Sequence, residues 1–256
     1  RGPSSEGASM SGKCRRKATI MLYDHVEGSV TVAGPTKGNL VPRLIWELEH
    51  GPDIAPVKAA SPSKATPLVD ATKLAARAKR ARGYLDDELT KVVLHASFAA
   101  PLGERDAFDV YRAWRERSER RFGYFVDFGT TPMNPSHQIL GMADTPVSLR
   151  RDGSGPTLVE GYYAALPLQQ LVGTPEVLAY KVVRKVQDES PQIFGGAVGY
   201  VCAGGDHGFV AADDVISIES STMIATRAIP LTRDYDPAAA FDTAQAEALA
   251  NLGAEL

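Results

Sequence analysis

The sequence predicts an α+β protein, a layered sandwich of helices packed on mainly antiparallel sheets. Strand-like runs follow one another in pairs that are separated by short turns, as at 18–24 and 29–34. Helical segments then fall between such pairs, whereas a parallel sheet would need a crossover after each strand. The chain has 256 residues, of which 44% are hydrophobic and 23% charged, so it can bury the core that these layers require.

The first 67 residues are predicted to hold a tail and a small N-terminal piece. Residues 1–17 are polar and rich in Gly and Ser, so we expect a disordered, tag-like tail. Residues 18–67 are expected to form a strand–helix piece that ends in a surface linker, because its last part is rich in Pro, Ala, Ser and Lys. Its expected elements are strands over 18–24 and 29–34, a helix over 39–49 and the linker over 51–67.

Residues 68–256 are predicted to form the main domain. Its first expected elements are a helix over 69–82, a strand over 90–98, a helix over 106–121, and strands over 123–128, 137–142 and 157–164. The helix over 106–121 carries Phe108, Tyr111 and Trp114 at helical spacing, so these aromatic residues are predicted to face the core.

The C-terminal part of this domain contains two helix starts. Thr174 followed by a proline predicts a helix that runs to residue 188, because Thr caps helices and Pro fits the first helical position. Asp236 followed by a proline predicts a last helix over 237–252 in the same way. Between these helices, three strands with Gly-rich or acidic turns are predicted within 196–229.

Composition and charge argue against several kinds of partner. The formal charge is −3, so no strong basic field is present to attract nucleic acid or a membrane. No segment is long and apolar enough to span a bilayer, and no phosphate loop, dinucleotide fingerprint or nucleophile elbow is found. We therefore predict no cofactor. The two cysteines, Cys14 and Cys202, do not suggest a disulfide framework, which favours a reducing cytoplasm.

Short motifs follow one another in a fixed order through the main domain. Residues 124–129 read Tyr-Phe-Val-Asp-Phe-Gly, and residues 194–200 read Phe-Gly-Gly-Ala-Val-Gly-Tyr. Residues 234–237, Asp-Tyr-Asp-Pro, then precede the last helix. In this order the motifs resemble those of the chorismate-utilising enzyme family, of the anthranilate synthase component I type, over residues 70–252. The resemblance implies a reduced form of that fold and makes residues 68–256 a truncated chorismate-binding-like domain.

The resemblance also indicates which chemistry is missing. The family binds magnesium through a Glu-x-x-Glu pair on its last helix, followed four residues later by Lys. Carboxylates three residues apart share one helix face, so both can reach one cation. The matching positions here are Ala240, Thr243 and Glu247, and Glu219 stands where the family has an Arg that receives a substrate carboxylate. The family's long middle segment is absent as well. The resemblance therefore implies a protein that has lost its metal and chorismate ligands.

The resemblance implies that the family's cleft survives as an apolar pocket beneath residues 195–198, with new polar groups at its rim. Glu219 is predicted to act as a general acid, because a carboxyl beside an apolar pocket has a raised pKa. The predicted catalytic residues are Glu219, Tyr200, Arg227 and Glu247. The predicted substrate-binding residues are Gly195, Gly196, Ala197, Val198, Tyr163 and Glu160.

Three functions are compatible with these observations. The first is a repurposed, metal-independent cyclase, isomerase or lyase that acts on a small organic intermediate of secondary, natural-product metabolism. The second is a non-catalytic binding or regulatory subunit derived from anthranilate synthase component I. The third is a residual chorismate-dependent lyase. We expect a homodimer, because the missing segment would leave part of a sheet that a second chain must cover.

Overall fold

The structure is a computed structural model. It describes residues 20–24, 29–33, 40–51, 63–120, 122–127, 137–144, 146–147, 166, 168–187, 196–201, 207–234 and 236–255. The strand predicted over 157–164 lies outside these ranges. The chain divides into two compact units between Pro56 and Val57, ahead of the predicted boundary after residue 67. Within the described ranges, no helix combines the length and the apolar character needed to cross a membrane.

The N-terminal unit contains the predicted hairpin and helix. Strand β1 (Ile20–Asp24) pairs antiparallel with strand β2 (Ser29–Ala33). Helix α1 (Leu40–His50) follows, and Arg43 Nε donates to Glu47 Oε1 at 2.8 Å one turn later along its surface.

The second unit contains the remaining described strands and helices. Its strands are β3 (Ser63–Lys64), β4 (Thr66–Pro67), β5 (Lys91–Pro101), β6 (Phe122–Asp127), β7 (His137–Ala143), β8 (Gly173–Thr174), β9 (Ala197–Val201), β10 (His207–Ala211), β11 (Asp214–Glu219), β12 (Thr222–Leu231) and β13 (Ala254–Glu255). Its helices are α2 (Ala71–Arg82), α3 (Ala107–Arg117), α4 (Gln169–Val172), α5 (Glu176–Val186) and α6 (Pro237–Leu252).

A seven-stranded sheet organises this unit. The strand order is β4-β5-β12-β11-β7-β6, and β8 also pairs with β5. Every pairing within the sheet is antiparallel. The predicted α+β class with mainly antiparallel sheets is therefore confirmed.

The end of the predicted linker belongs to the sheet region. Residues 51–67 were expected to form a surface linker, but Thr66 and Pro67 pair with β5 as strand β4. Strand β3 pairs in parallel with β13 at the C-terminal end of the chain. Both short strands satisfy backbone groups through pairing, and composition alone does not reveal such long-range partners.

Four strands, rather than the predicted three, occupy residues 196–231. Strands β9 and β10 form a separate antiparallel hairpin, in which Tyr200 lies opposite Gly208. Only Ala212 and Asp213 connect this hairpin to β11, which belongs to the large sheet. The amide of Ala212 also donates to the Gly196 carbonyl at 3.0 Å.

The helix ends follow from capping, with one correction. The Asp236 side chain accepts from the Ala238 amide at 2.9 Å, and Pro237 opens α6, as predicted. Thr174 was predicted to cap the preceding helix, but Pro175 occupies that position and makes no side-chain cap. Thr174 instead belongs to β8, where its hydroxyl accepts from Gln169 Nε2 at 2.9 Å.

One face of the large sheet forms the core with the helices. Leu94 and Phe98 of β5 and Ile229 of β12 are fully buried there, together with apolar residues of α2, α3, α5 and α6. Trp114 is buried as predicted. Phe108 is 48% exposed, which corrects its predicted core position; it packs at the surface against Tyr111 and Phe125.

The outer edge of β5 is paired in an unusual way at His95. Strands β8 and β4 pair with the two ends of β5 on this edge and leave the backbone of His95 between them. The Gln187 side chain fills this position. Its Oε1 accepts from the His95 amide at 3.2 Å, and its Nε2 donates to the His95 carbonyl at 3.3 Å. A single side chain thus replaces a missing strand partner.

Candidate functional site

A cavity of about 910 Å³ opens where one end of the sheet meets the C-terminal ends of α3 and α6. It is lined by Trp114, residues 117–120, Asp144, Asp214, and the Ala250–Asn251 pair. Part of its rim is formed by the end of α3, which stops at Ser118. The Ser118 hydroxyl accepts a hydrogen bond from the Arg120 amide at 3.2 Å. The lining combines polar and apolar surface in similar amounts and carries both signs of charge.

Behind the Asp214 wall of this cavity lies a buried cluster of ion pairs. Val215 pairs with Thr226, so Asp214 and Arg227 lie one step further along the same two strands and on the same side of the sheet. Arg227 forms ion pairs with both Asp214 and Glu247 of α6. Asn251 Nδ2 also donates to Asp214 Oδ1 at 2.8 Å. This arginine therefore links β11, β12 and α6.

Burial and neighbouring charges shift the pKa of Arg227 in opposite directions. Its side chain is 11% exposed and that of Asp214 is 9% exposed. Burial alone would lower the pKa of the Arg227 guanidinium, but the charges and hydrogen bonds of Asp214 and Glu247 outweigh it and raise that pKa. Arg227 is therefore a fixed cation, whose Nη1 contacts Asp214 and whose Nη2 contacts Glu247.

A second group of charges is centred on Arg120 of the cavity lining and extends to Asp213, which is not itself a lining residue. Arg120 Nη1 lies 3.4 Å from Asp144 Oδ2 and 3.7 Å from Asp213 Oδ2. Burial raises the pKa of the Asp213 carboxyl, and the negative charge of Asp214 adds to the rise, while Arg120 opposes it. The other carboxyl oxygen of Asp213 is buried and has no hydrogen-bond partner among the described residues.

Tyr124 belongs to the same end of the sheet. It lies opposite Gly141 in the β6–β7 pair, and its ring covers this glycine so closely that a side chain there would collide with it. The Tyr124 hydroxyl is buried without a partner among the described residues. Burial raises the pKa of this hydroxyl, and the charges of Asp213 and Asp214 raise it further, so the phenol stays neutral.

Comparison with known proteins gives matches to solved structures. No protein-family model and no curated protein matches the chain. The chain is similar to anthranilate synthase component I from Streptococcus pneumoniae TIGR4, with a TM-score of 0.73 and 15% identity over 91% of this chain and 71% of that chain. It is also similar to MenF, the menaquinone-specific isochorismate synthase from Escherichia coli, with a TM-score of 0.62 and 12% identity over 88% of this chain and 72% of that chain.

The chain has a fold similar to that of anthranilate synthase component I. At 15% identity the likeness concerns the fold alone. The 91% coverage exceeds what residues 70–252 can supply, so the likeness also reaches into the chain before residue 70.

The structure distributes the predicted catalytic residues over separate places. Arg227 and Glu247 meet in the ion-pair cluster behind the cavity. Glu219 lies at the other end of β11, about 17 Å from Asp214 along the strand, and its nearest described ionic neighbour is His137 Nδ1 at 4.0 Å. Tyr200 lies on β9, where its ring packs beside Gly208. Neither Glu219 nor Tyr200 lines the cavity.

The predicted substrate-binding residues fall into two groups. Gly196, Ala197 and Val198 lie at the start of the β9–β10 hairpin and do not line the cavity. The other three, Gly195, Glu160 and Tyr163, lie outside the described residues.

The side chains that the sequence resemblance pairs with magnesium ligands do not fit a divalent cation. Ala240 is 3% exposed and packs in the apolar core, so it offers no oxygen and no open space. The Thr243 hydroxyl donates to the Ala239 carbonyl at 2.9 Å on its own helix. Glu247 is engaged by Arg227, a cation that would repel a second one. Within the described ranges, no three His, Cys, Asp or Glu side chains are grouped closely enough to hold a metal ion.

Sequence reasoning missed the acidic and phenolic groups around Asp214, which itself lines the cavity. Asp213 and Asp214 were recognised only as part of an acidic turn, and Tyr124 only as part of a motif. Two consecutive acidic residues that open an apolar strand were the available signal, because one of them must point to each side of the sheet. Their approach to Arg120 and Tyr124 depends on the register of β6, β7 and β11.

Proposed function

We propose that this protein is a metal-independent enzyme of the chorismate-binding fold that uses acid–base side chains close to Arg120, a residue of the cavity lining beside β11. Cyclisation, isomerisation or elimination on a small organic intermediate of secondary metabolism fits such a site. The observation that supports the proposal most directly is the position of Asp213. This carboxyl has a raised pKa, one of its oxygens has no hydrogen-bond partner among the described residues, and it contacts Arg120 of the cavity wall.

Asp213 and its two neighbours, Tyr124 and Arg120, suit a proton-transfer reaction. Asp213 accepts a proton from the substrate as a carboxylate and returns one as a carboxylic acid. The neutral Tyr124 phenol donates a hydrogen bond to a substrate oxygen on which negative charge develops. Arg120 orients a carboxylate or carbonyl of the substrate by its planar guanidinium. In an isomerisation, the proton removed at one atom is delivered at another, so no oxidant, reductant or metal is required.

The charges of the cavity suggest a substrate that is neutral or weakly charged. Arg117 and Arg120 contribute two positive charges, whereas Glu119 and Asp144 contribute two negative ones. The Asp214 charge is compensated by Arg227. Such a balanced lining favours a molecule with at most one carboxylate over a dianion.

A non-catalytic binding or regulatory subunit is the second candidate. Two of the predicted catalytic residues, Arg227 and Glu247, are occupied by each other, which favours a structural role for both. Residual chorismate-dependent lyase chemistry receives the least support, because Ala240 and Thr243 do not fit the cation. A homodimer and a cytoplasmic setting stay predictions.

Turnover in the presence of a chelator tests the proposal. The purified protein is incubated in excess EDTA with chorismate, with isochorismate, and with a small-molecule extract of cells that produce it, and products are followed by liquid chromatography and mass spectrometry. We expect one compound to be consumed. Asp213→Asn should lower the turnover about 100-fold or more, with Tyr124→Phe lowering it less, because general acid–base groups contribute about that factor.

Asp242→Asn is the matched control, because it makes the same Asp-to-Asn change at an exposed residue away from the cavity. Binding of a compound without its consumption, measured by calorimetry, supports the binding-subunit candidate. Consumption that requires added Mg²⁺, or that is unchanged in Asp213→Asn, contradicts the proposed mechanism.

A further inference from the structure

The outer surface of two neighbouring helices is much more basic than the rest of the protein. Helix α2 and helix α5 pack beside each other on the core face of the sheet. Their exposed basic residues are Lys73, Lys79, Arg80, Arg82, Lys181, Arg184 and Lys185. Glu176 is the single acidic residue within the two helices. We call this surface the α2–α5 face.

This concentration of positive charge contrasts with a whole-chain formal charge of −3. Lys79, Lys181 and Arg184 form no ion pair with any described residue, so the described acidic side chains do not neutralise them. Unneutralised like charges on adjacent helices repel one another and cost stability, and an oppositely charged partner would remove this cost.

The same face exposes apolar side chains. Val177, Leu178 and Tyr180 of α5 are 56%, 38% and 43% exposed, and Tyr84, which follows α2, is 38% exposed. The Lys185 ammonium lies 4.9 Å from the centre of the Tyr84 ring and holds it at the surface. Tyr and Arg are enriched in the centres of protein interfaces, whereas scattered charges alone are typical of a solvated surface.

We propose that the α2–α5 face binds an acidic, partly apolar surface of a different protein. A symmetric pair of copies of this chain would bring the same basic face against itself, which like-charge repulsion opposes. Single-stranded nucleic acid could stack on the two tyrosine rings, but it would leave the exposed aliphatic side chains of Val177 and Leu178 without an apolar partner. A protein surface that combines carboxylates with apolar groups satisfies both features.

Site-specific photo-crosslinking tests this inference. A photoreactive amino acid replaces Tyr180 in the full chain, which is expressed in cells that naturally produce the protein, and a second variant carries it at Thr243 on α6 as a position control. We expect a single protein to be crosslinked from position 180 and not from position 243, through a peptide rich in Asp and Glu. That protein is then purified, and its affinity for the unmodified chain is measured by calorimetry.

Charge reversal separates this interaction from adventitious capture. The double substitution Lys181→Glu and Arg184→Glu should weaken the affinity about tenfold or more, and raising the salt from about 50 to about 300 mM should weaken the wild-type complex similarly, because screening shortens the reach of charges. Arg43→Glu with Lys64→Glu makes the same change in net charge elsewhere and should leave the affinity unchanged. The inference is overturned if both double variants lose affinity equally, or if no protein is crosslinked above the control. Crosslinking to nucleic acid or to a second copy of this chain overturns it as well.

Discussion

Arg227 and Asp214 form an ion pair in which both side chains are about nine-tenths buried. A third member, Glu247, is half exposed and completes the contact between the sheet and the last helix. The two acids therefore should differ in importance, since a buried charge that loses its partner cannot be rescued by water.

Arg227→Met should reduce the free energy of unfolding by about 3 kcal/mol or more, because it leaves Asp214 charged, buried and without its cation. Glu247→Gln should cost less than about 1 kcal/mol, because water reaches this carboxyl. Both values are measured by urea unfolding. Arg233→Met, which breaks an exposed pair with Asp87, is the control and should change stability little. A loss in Glu247→Gln as large as that in Arg227→Met contradicts this assignment.

Magnesium should not stabilise the protein specifically. The positions that correspond to the family's ligands hold a buried methyl group at Ala240 and a hydroxyl that is bonded to its own helix at Thr243. Melting temperatures in about 5 mM MgCl₂ and in about 15 mM KCl, which have the same ionic strength, should therefore agree. A saturable rise of the melting temperature with Mg²⁺ alone refutes this expectation.

Gln187→Ala should lower the free energy of unfolding by about 2 kcal/mol or more, because it leaves the amide and the carbonyl of His95 buried and unpaired. Gln169→Ala removes an exposed side-chain bond to Thr174 and serves as the control, with an expected loss below about 1 kcal/mol. Equal losses in the two variants, determined by denaturant titration, argue against the edge-filling role of Gln187.

His95 should make the protein less stable in mild acid. Burial lowers the pKa of its imidazole to about 4, while the hydrogen bond to the Leu171 carbonyl acts the other way. Between the unfolded pKa of about 6.5 and the folded value, the unfolded chain binds more protons, so stability falls as the pH falls. The loss from pH 7 to pH 5 should be about 2 kcal/mol larger in the wild type than in His95→Gln. Parallel pH profiles of the two proteins in urea unfolding contradict this linkage.

Gly141→Ala should destabilise the protein by about 2 kcal/mol, because its methyl group collides with the Tyr124 ring. In a Tyr124→Ala background the same change should cost less than half as much, since the obstruction is gone. Gly196→Ala, whose added methyl group meets no atom within 4 Å, is the matched control. Additive costs in the double-mutant cycle show that the two residues are not in contact in solution.

The parts of the fold that depend on neighbouring residues were predictable from the sequence. Asp236 followed by proline predicted the start of α6, because capping is a local interaction. Thr174 followed by proline carried the same signal and misled, since Thr174 is taken into the sheet by pairing with Lys91. The local preference of a residue for a helix cap is overridden where a strand distant in sequence pairs with its backbone.

The cavity could not be predicted in the same way. Its residues come from α3 and the residues that follow it, from Asp144 just after β7, and from β11 and α6. The register of antiparallel strands decides which of them meet. A shift of one residue in β11 would turn Asp214 away from Arg227 and bring Asp213 to the core face. The sequence predicted Arg227 and Glu247 as catalytic residues, but not that they form an ion pair with each other.

Asp213 occupies a connection of only two residues between the β9–β10 hairpin and the large sheet. The amide of the other connecting residue, Ala212, is bonded back to the hairpin, while Asp214 on the far side is held by Arg227 and Asn251. Because this connection is short and anchored at both ends, the Asp213 carboxyl can move little on its own. Any displacement of the hairpin that carries Ala197 and Val198 should therefore move this carboxyl too, because no flexible loop lies between them.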